Sequence, residues 1–455
     1  MYSRLPFILL LMECVLLSAP DARAAGSQAE VNGVKAQLQS RQGKAGIAVT
    51  ALGRYEVRVD VDPADEREPL SVRAELPETG PRTWPVEDVQ VFDAKGVPVA
   101  VRHDGVEWHK LEFRVPPTGA AYFIRAADRP DRKSGLSLPS EGERTATDPR
   151  TGLTATLCRW LGGHRAALSI RFDDSHPSHL LTVIPILRQY GFRATFMINP
   201  GRSEYQERKG DWEACARLGD QEFGNHTMHH RGATGDEEMD REIGEASEYI
   251  ASLFPHRSKV QALNLGGSTF WVTTKPLRYY LEKYHSFNVT GSLGMDDVYG
   301  DRAAALRQNL MRHMERGLWC RAHFHSIGQG LSASEEHFRA ALEEVKTHAS
   351  DLWIAGLADV YKYQEERKAA KLSVTSANSG QAVVQLSCGT DPELYDQPLT
   401  IEVALPPSWL NGEVKVTKTG GSSGGAIKFT RASEGRAIRF DVVPVNATYI
   451  VKKKP

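Results

Sequence analysis

Apolar and polar residues alternate with a period of two in the first third of the chain. Tyr55-Glu56-Val57-Arg58-Val59-Asp60-Val61 and Leu70-Ser71-Val72-Arg73-Ala74-Glu75-Leu76 are the clearest stretches. Successive side chains of a strand point to opposite faces, so this pattern predicts strands with one face buried. Asp93-Ala94-Lys95-Gly96 has the composition of a hairpin turn between two such runs. A β-sandwich-like unit is therefore expected over residues 25–150. Its last part, 129–150, crowds Asp, Pro, Ser, Gly and charged residues and reads as a linker.

The pattern changes over residues 151–370. Short apolar runs (Ala166–Phe172, Ala194–Ile198, Glu222–His226, Lys259–Leu265, Phe287–Thr290, Trp319–His325, Leu352–Ala355) alternate with longer amphipathic stretches. The latter include Ser178–Tyr190, Glu237–Leu253, Pro276–Tyr284, Ala303–Glu315 and Ser334–Ala349. Strands alternating with helices predict an α/β domain with a parallel sheet. Seven such units fit a distorted (β/α) barrel. The alternative, an open doubly wound sheet, lacks a glycine fingerprint for phosphates. Strand patterns return over 371–455, predicting a second β-sandwich-like domain, with Gly420–Gly425 as a turn.

Composition narrows the class. The formal net charge is −1, and so even a balance gives no general attraction to nucleic acid, which needs a basic surface. Residues 1–24 read as a signal peptide: Arg4, an apolar stretch from Phe7 to Leu17, then Ala22-Arg23-Ala24. Export to the periplasm or the extracellular space is expected. No other segment is apolar enough to cross a membrane. Cys158, Cys215, Cys320 and Cys388 remain after the leader, none in a CxxC pair. They make neither a disulfide scaffold nor a zinc knuckle; one disulfide and buried free thiols are both compatible with them.

Three segments carry candidate chemistry. Ser169-Ile170-Arg171-Phe172-Asp173-Asp174 is a strand ending in two carboxylates. Strand ends are where parallel α/β folds collect functional groups. In Glu222-Phe223-Gly224-Asn225-His226-Thr227-Met228-His229-His230, the spacing of His226 and His230 would bring both imidazoles to one face of a helical turn. Two histidines and a carboxylate are a common catalytic metal set. His229 points elsewhere on such a turn and is not expected to be a ligand. The third segment, Trp319-Cys320-Arg321-Ala322-His323-Phe324-His325-Ser326, ends in a histidine suited to general acid work. His323 fits a supporting role.

Together, Arg171-Phe172-Asp173-Asp174, His226-Thr227-Met228-His229-His230 and His325-Ser326 resemble the first, second and fifth motifs of the polysaccharide deacetylase family (carbohydrate esterase family 4, the NodB-homology fold). Tyr190–Phe196 and Trp353–Arg367 are also similar to segments of that family. The resemblance covers roughly 153–370. Position by position, it implies Asp173 as general base, Asp174, His226 and His230 as metal ligands, and His325 as general acid. It implies a distorted (β/α) barrel and an acetylated polysaccharide or oligosaccharide substrate, N- or O-linked. The implied cofactor is a divalent metal, zinc first, with cobalt, nickel and manganese also compatible. A metal-activated water would attack the acetyl carbonyl.

Two motifs depart from the family. Its third usually supplies an arginine that orients the base, but Leu263-Asn264-Leu265-Gly266-Gly267-Ser268-Thr269-Phe270-Trp271 has none. Its fourth usually supplies an aspartate that tunes the histidine; Asp296 or Asp297 in Gly294–Tyr299 could serve. These departures keep two other readings open. One is a catalytically inactive carbohydrate-binding or scaffold protein of the same fold. The other is an amide hydrolase acting on a small non-glycan substrate.

Overall fold

The computed structural model describes residues 27–39, 45–127, 144–150, 152–328, 332–378, 380–410, 412–419 and 425–453. The expected leader, linker residues 129–143 and turn residues 420–424 lie outside the described residues.

Eight parallel strands form the central sheet: β1 (Ala166–Phe172), β2 (Thr195–Ile198), β3 (Glu222–Asn225), β4 (Gln261–Leu263), β5 (Ser286–Asn288), β6 (Leu293–Gly294), β7 (Trp319–Phe324) and β8 (Leu352–Ile354). Their order is β5-β4-β3-β2-β1-β7-β6, and β8 pairs with the first half of β1. Edge strands β5 and β6 are joined directly by residues 289–292 yet do not pair, so the barrel stays open there. All seven residues of β1 are buried, as expected of a parallel strand covered on both faces. Helices follow most strands; α1 (Asp236–Leu253), α2 (Arg302–Arg316) and α3 (Leu357–Ala369) matter below. The Asp301 side chain accepts a hydrogen bond from Ala304 N at the start of α2, satisfying one of the helix's free N–H groups.

Two further sheets, of six and four strands, precede the barrel and share one apolar core that includes Val34, Val59, Val72, Trp84 and Phe113. Asp93–Gly96 turns as expected, with Gly96 N donating to Asp93 O at 3.0 Å. Two five-stranded sheets follow the barrel. The boundaries are less simple than alternation suggested. Phe270–Thr273, within the barrel segment, pairs antiparallel with Val101–Asp104 and becomes an edge of the six-stranded sheet. The expected boundary at 150/151 falls inside a hairpin. Its arms, Arg144–Thr147 and Thr154–Leu157, pair with each other, and the second also pairs with strand Leu399–Ala404 of a C-terminal sheet. Residues 144–147 are thus strand, not linker. Cys158, Cys215, Cys320 and Cys388 are free thiols.

Candidate active site

β1 and β7 run side by side, Phe172 level with Phe324, so both deliver side chains to the same end of the barrel. Asp173 N still donates to Phe324 O at 2.9 Å. The backbone then breaks: Asp174 and Ser175 take φ of 79° and 54°, a left-handed region that costs L-residues energy and clusters at functional sites. The break sends the adjacent carboxylates different ways. Asp173 is only 3% exposed, and the Arg171 guanidinium lies 3.2 Å from its Oδ2. Burial pushes Asp173 up, but Arg171 and nearby histidines outweigh it and hold the carboxyl below the usual range.

Asp174 faces His226 and His230. Its Oδ1 lies 3.5 Å from His226 Nε2 and 3.8 Å from His230 Nε2, and all three donor atoms fall within 4.8 Å of one another. Bonds of 2.0–2.2 Å to a tetrahedral ion separate neighbouring ligand atoms by about 3.4 Å. The set therefore fits a small divalent cation with little movement. His226 Nδ1 lies 2.9 Å from the Asn264 carbonyl; donation there leaves the Nε2 lone pair free, the usual orientation of a ligating histidine. Burial pushes Asp174 up, but its two histidine neighbours, His226 foremost, hold it well below the carboxylate range. Burial, then His226, pulls His230 down to about 4, so its ring is neutral, as a ligand must be.

The histidines do not sit on a helical turn, as their spacing suggested. Residues 226–230 form an irregular loop, with Thr227 at φ 66° and His230 at φ 55°. The rings still meet, centroids 4.7 Å apart. Asn199, following β2, holds this loop by donating to the carbonyls of His226 and Thr227. His229 turns away to Glu242 of α1, Nδ1 to Oε1 at 2.7 Å.

His325 follows β7 directly. Buried Asp296 accepts from its backbone N at 3.1 Å and from its Nδ1 at 2.6 Å. Burial pulls His325 down, but the Asp296 hydrogen bond and the carboxylates nearby raise it above its ordinary value. Of the two adjacent aspartates, Asp296 is the one that meets His325. Asp297 instead accepts from His337 Nδ1 at 2.8 Å. His323 lies 2.9 Å, through Nδ1, from the Ser292 hydroxyl, and burial followed by the charge of Arg171 lowers it to about 4.

Four contributors were not anticipated. Arg171 contacts Asp173 from two residues upstream on the same strand face, an i, i+2 relation visible in the sequence. Arg202 reaches Asp174 Oδ1 at 3.5 Å while forking onto Glu204. Asn264 and Gly266 come from the arginine-less third segment. Gly266 has φ 83°, and a Cβ there would collide with His230 Nε2. That segment therefore backs the metal ligands rather than the base.

Residues 163–278 match the family model described as polysaccharide deacetylase. A gellan lyase of a Bacillus species is 20% identical over 302 residues, 58% of this chain. The chain spans only 12% of that relative's length. Among solved structures, the family 4 carbohydrate esterase of Streptomyces lividans is 19% identical, covering 44% of this chain and 95% of that one, with a TM-score of 0.34. The peptidoglycan deacetylase PdaC of Bacillus subtilis is 17% identical over 45% of this chain and 94% of that one, with a TM-score of 0.32. A family 4 pseudoenzyme of Bacillus anthracis is 15% identical, over 43% and 64%, with a TM-score of 0.33. The matched stretch, residues 163–278, holds both aspartates, both facing histidines and the loop behind them, so the likeness to the polysaccharide deacetylase family falls on the segment that builds this site.

Proposed function

We propose that the barrel hydrolyses acetyl groups from a polysaccharide in an exported protein, with Asp173 as base and His325 as acid. The convergence of Asp174, His226 and His230 beside those two residues, from separate strand ends, carries this reading. Asp174, His226 and His230 would hold a divalent cation, zinc by preference for such donors. Its Lewis acidity makes water a usable nucleophile near neutral pH.

The chain's own groups do the rest. Asp173, kept ionised by Arg171, takes the proton of the attacking water. Its buried position keeps the carboxylate from bulk solvent, where it would be a poor base. His325 Nδ1 is committed to Asp296, so Nε2 is the nitrogen left to protonate the departing amine or alcohol. The Asp296 hydrogen bond raises the pKa of His325 and so favours the protonated form that an acid needs. The flanking sheet pairs are read as two β-sandwich domains, and the N-terminal leader pattern supports export.

Asp173→Asn and Asp174→Ala test the assignment. Asp173→Asn should retain bound metal and lose acetate release from N- and O-acetylated polysaccharides. Asp174→Ala should lose both. Near-normal turnover in Asp173→Asn would remove Asp173 as base. A metal-loaded natural chain that releases no acetate from any such polymer would point to a binding or scaffold role.

A further inference from the structure

A cavity of about 700 Å³ lies away from the metal residues, on the outer face of the six-stranded sheet. The registers align its polar side chains in rows across the strands. Glu30, Lys35, Glu75 and Lys110 form one row of alternating sign. In the next, Glu112 is fixed by three donors: Ser71 Oγ at 2.7 Å, Arg73 Nε at 3.2 Å and Arg102 Nη1 at 3.1 Å. At the cavity's barrel edge stands Phe270, 47% exposed, with the Arg102 guanidinium 3.6 Å from its ring centre.

We infer that this face binds a neutral polysaccharide strand and leads it to the metal residues, an inference that rests on the deacetylase reading above. Three observations select that occupant. Carboxylates and basic side chains lining the cavity number five and four, so the surface holds no net field for a polyanion. The Glu112 carboxylate, held by Ser71, Arg73 and Arg102, and those two guanidinium groups offer positioned acceptors and donors that suit hydroxyl groups. The exposed ring gives a sugar face an apolar platform. The cavity's volume lies within the usual range of ligand sites.

Continuity with the barrel gives the direction. Phe270 is four residues from Gly266, which touches His230, so the two are at most about 14 Å apart along the chain. A few sugar units span that distance. Gly105 N also donates to Thr269 O at 3.0 Å, fastening this segment to the sheet. The third segment therefore lies against the metal ligands at one end and lines the sheet cavity at the other.

The test is affinity electrophoresis of the full chain in gels containing acetylated xylan, glycol chitin or polygalacturonate. At least one neutral polymer should retard the natural chain and Asp174→Ala equally, because the groove needs no metal. Phe270→Ala and Arg73→Ala, on different strands, should each bind about fivefold or more weakly, with unchanged circular dichroism. Undiminished retardation of both variants would overturn the proposal. So would absence of binding to both neutral polymers, or stronger binding to polygalacturonate. Retardation lost in the groove variants supports the groove even where no acetate is released; that failure would count against the hydrolytic reading alone.

Discussion

Replacing Asp296 by Asn changes no shape and removes one buried charge. Both carboxylate oxygens face N–H groups of His325, backbone N at 3.1 Å and Nδ1 at 2.6 Å. An amide has a single oxygen, so one of these bonds must fail. A hydrogen bond to a charged group is worth about 1.5–3 kcal/mol net. At about 1.36 kcal/mol per pKa unit, His325 should fall by about 1–2 units. As the proposed acid, it works in its protonated form. The alkaline limb of kcat for acetate release should therefore move to lower pH by the same amount. Where the amide NH2 faces Nδ1, the imidazolium is disfavoured further, and the loss should approach the 10²–10⁴-fold, roughly, that general acid catalysis supplies. Stability follows the same linkage. The folded-state pKa of His325 is raised, so its stabilisation is complete below about pH 6.5 and is lost as pH rises through the folded value. Asp296→Asn should lower Tm more at about pH 5 than at about pH 9. An alkaline limb that stays in place at unchanged metal content would refute the reasoning, as would a Tm loss that grows with pH.

Arg171→Met strands the buried Asp173 carboxylate without its guanidinium. Breaking such a pair should cost about 3–5 kcal/mol in denaturant unfolding and more than about tenfold in acetate release, with partial recovery in Arg171→Lys. Gly266→Ala forces a Cβ against His230 at a backbone angle that disfavours any side chain, and should weaken metal affinity by about 10–100-fold in competition with a chelator. Burial raises Glu366 of α3 to about 8, with Gln397 N donating to it at 2.8 Å. The folded chain thus holds a proton that the unfolded chain releases between about pH 4.3 and 8, and stability falls with pH across that window. Glu366→Gln should raise Tm more at about pH 8 than at about pH 5, by thermal unfolding.

The parts of the site visible in the sequence are those whose geometry follows from local rules. A strand must present Arg171 and Asp173 on one side and stop near Asp174, so alternation and the strand's end suffice to place the carboxylate pair. The spacing of His226 and His230 identified the right residues through the wrong conformation. Left-handed angles at Thr227 and His230 have no compositional mark when glycine is not the residue adopting them. Asp296 and His325 are 29 residues apart, and nothing local states that the first of two adjacent aspartates turns inward while the second meets His337. The arginine missing from the third segment looked like a lost support. Its counterpart stood in the first segment, where alternation alone would have pointed to it. Least legible were the long-range pairings of Phe270–Thr273 and of the 144–157 hairpin. Their registers depend on partners more than a hundred residues away, which no local periodicity encodes.

The 144–157 hairpin also orders events during synthesis. Its arms are made before the barrel, yet the strand that covers Thr154–Leu157 begins at Leu399. Throughout translation of the intervening 240-odd residues, that edge has no native neighbour. A nascent chain must keep it from pairing wrongly until the last segment emerges. Gene fragments cut at residue 151 or 371 would each inherit half of a sheet. A fragment meant to isolate the barrel should instead start after Leu157, or carry the C-terminal strands along.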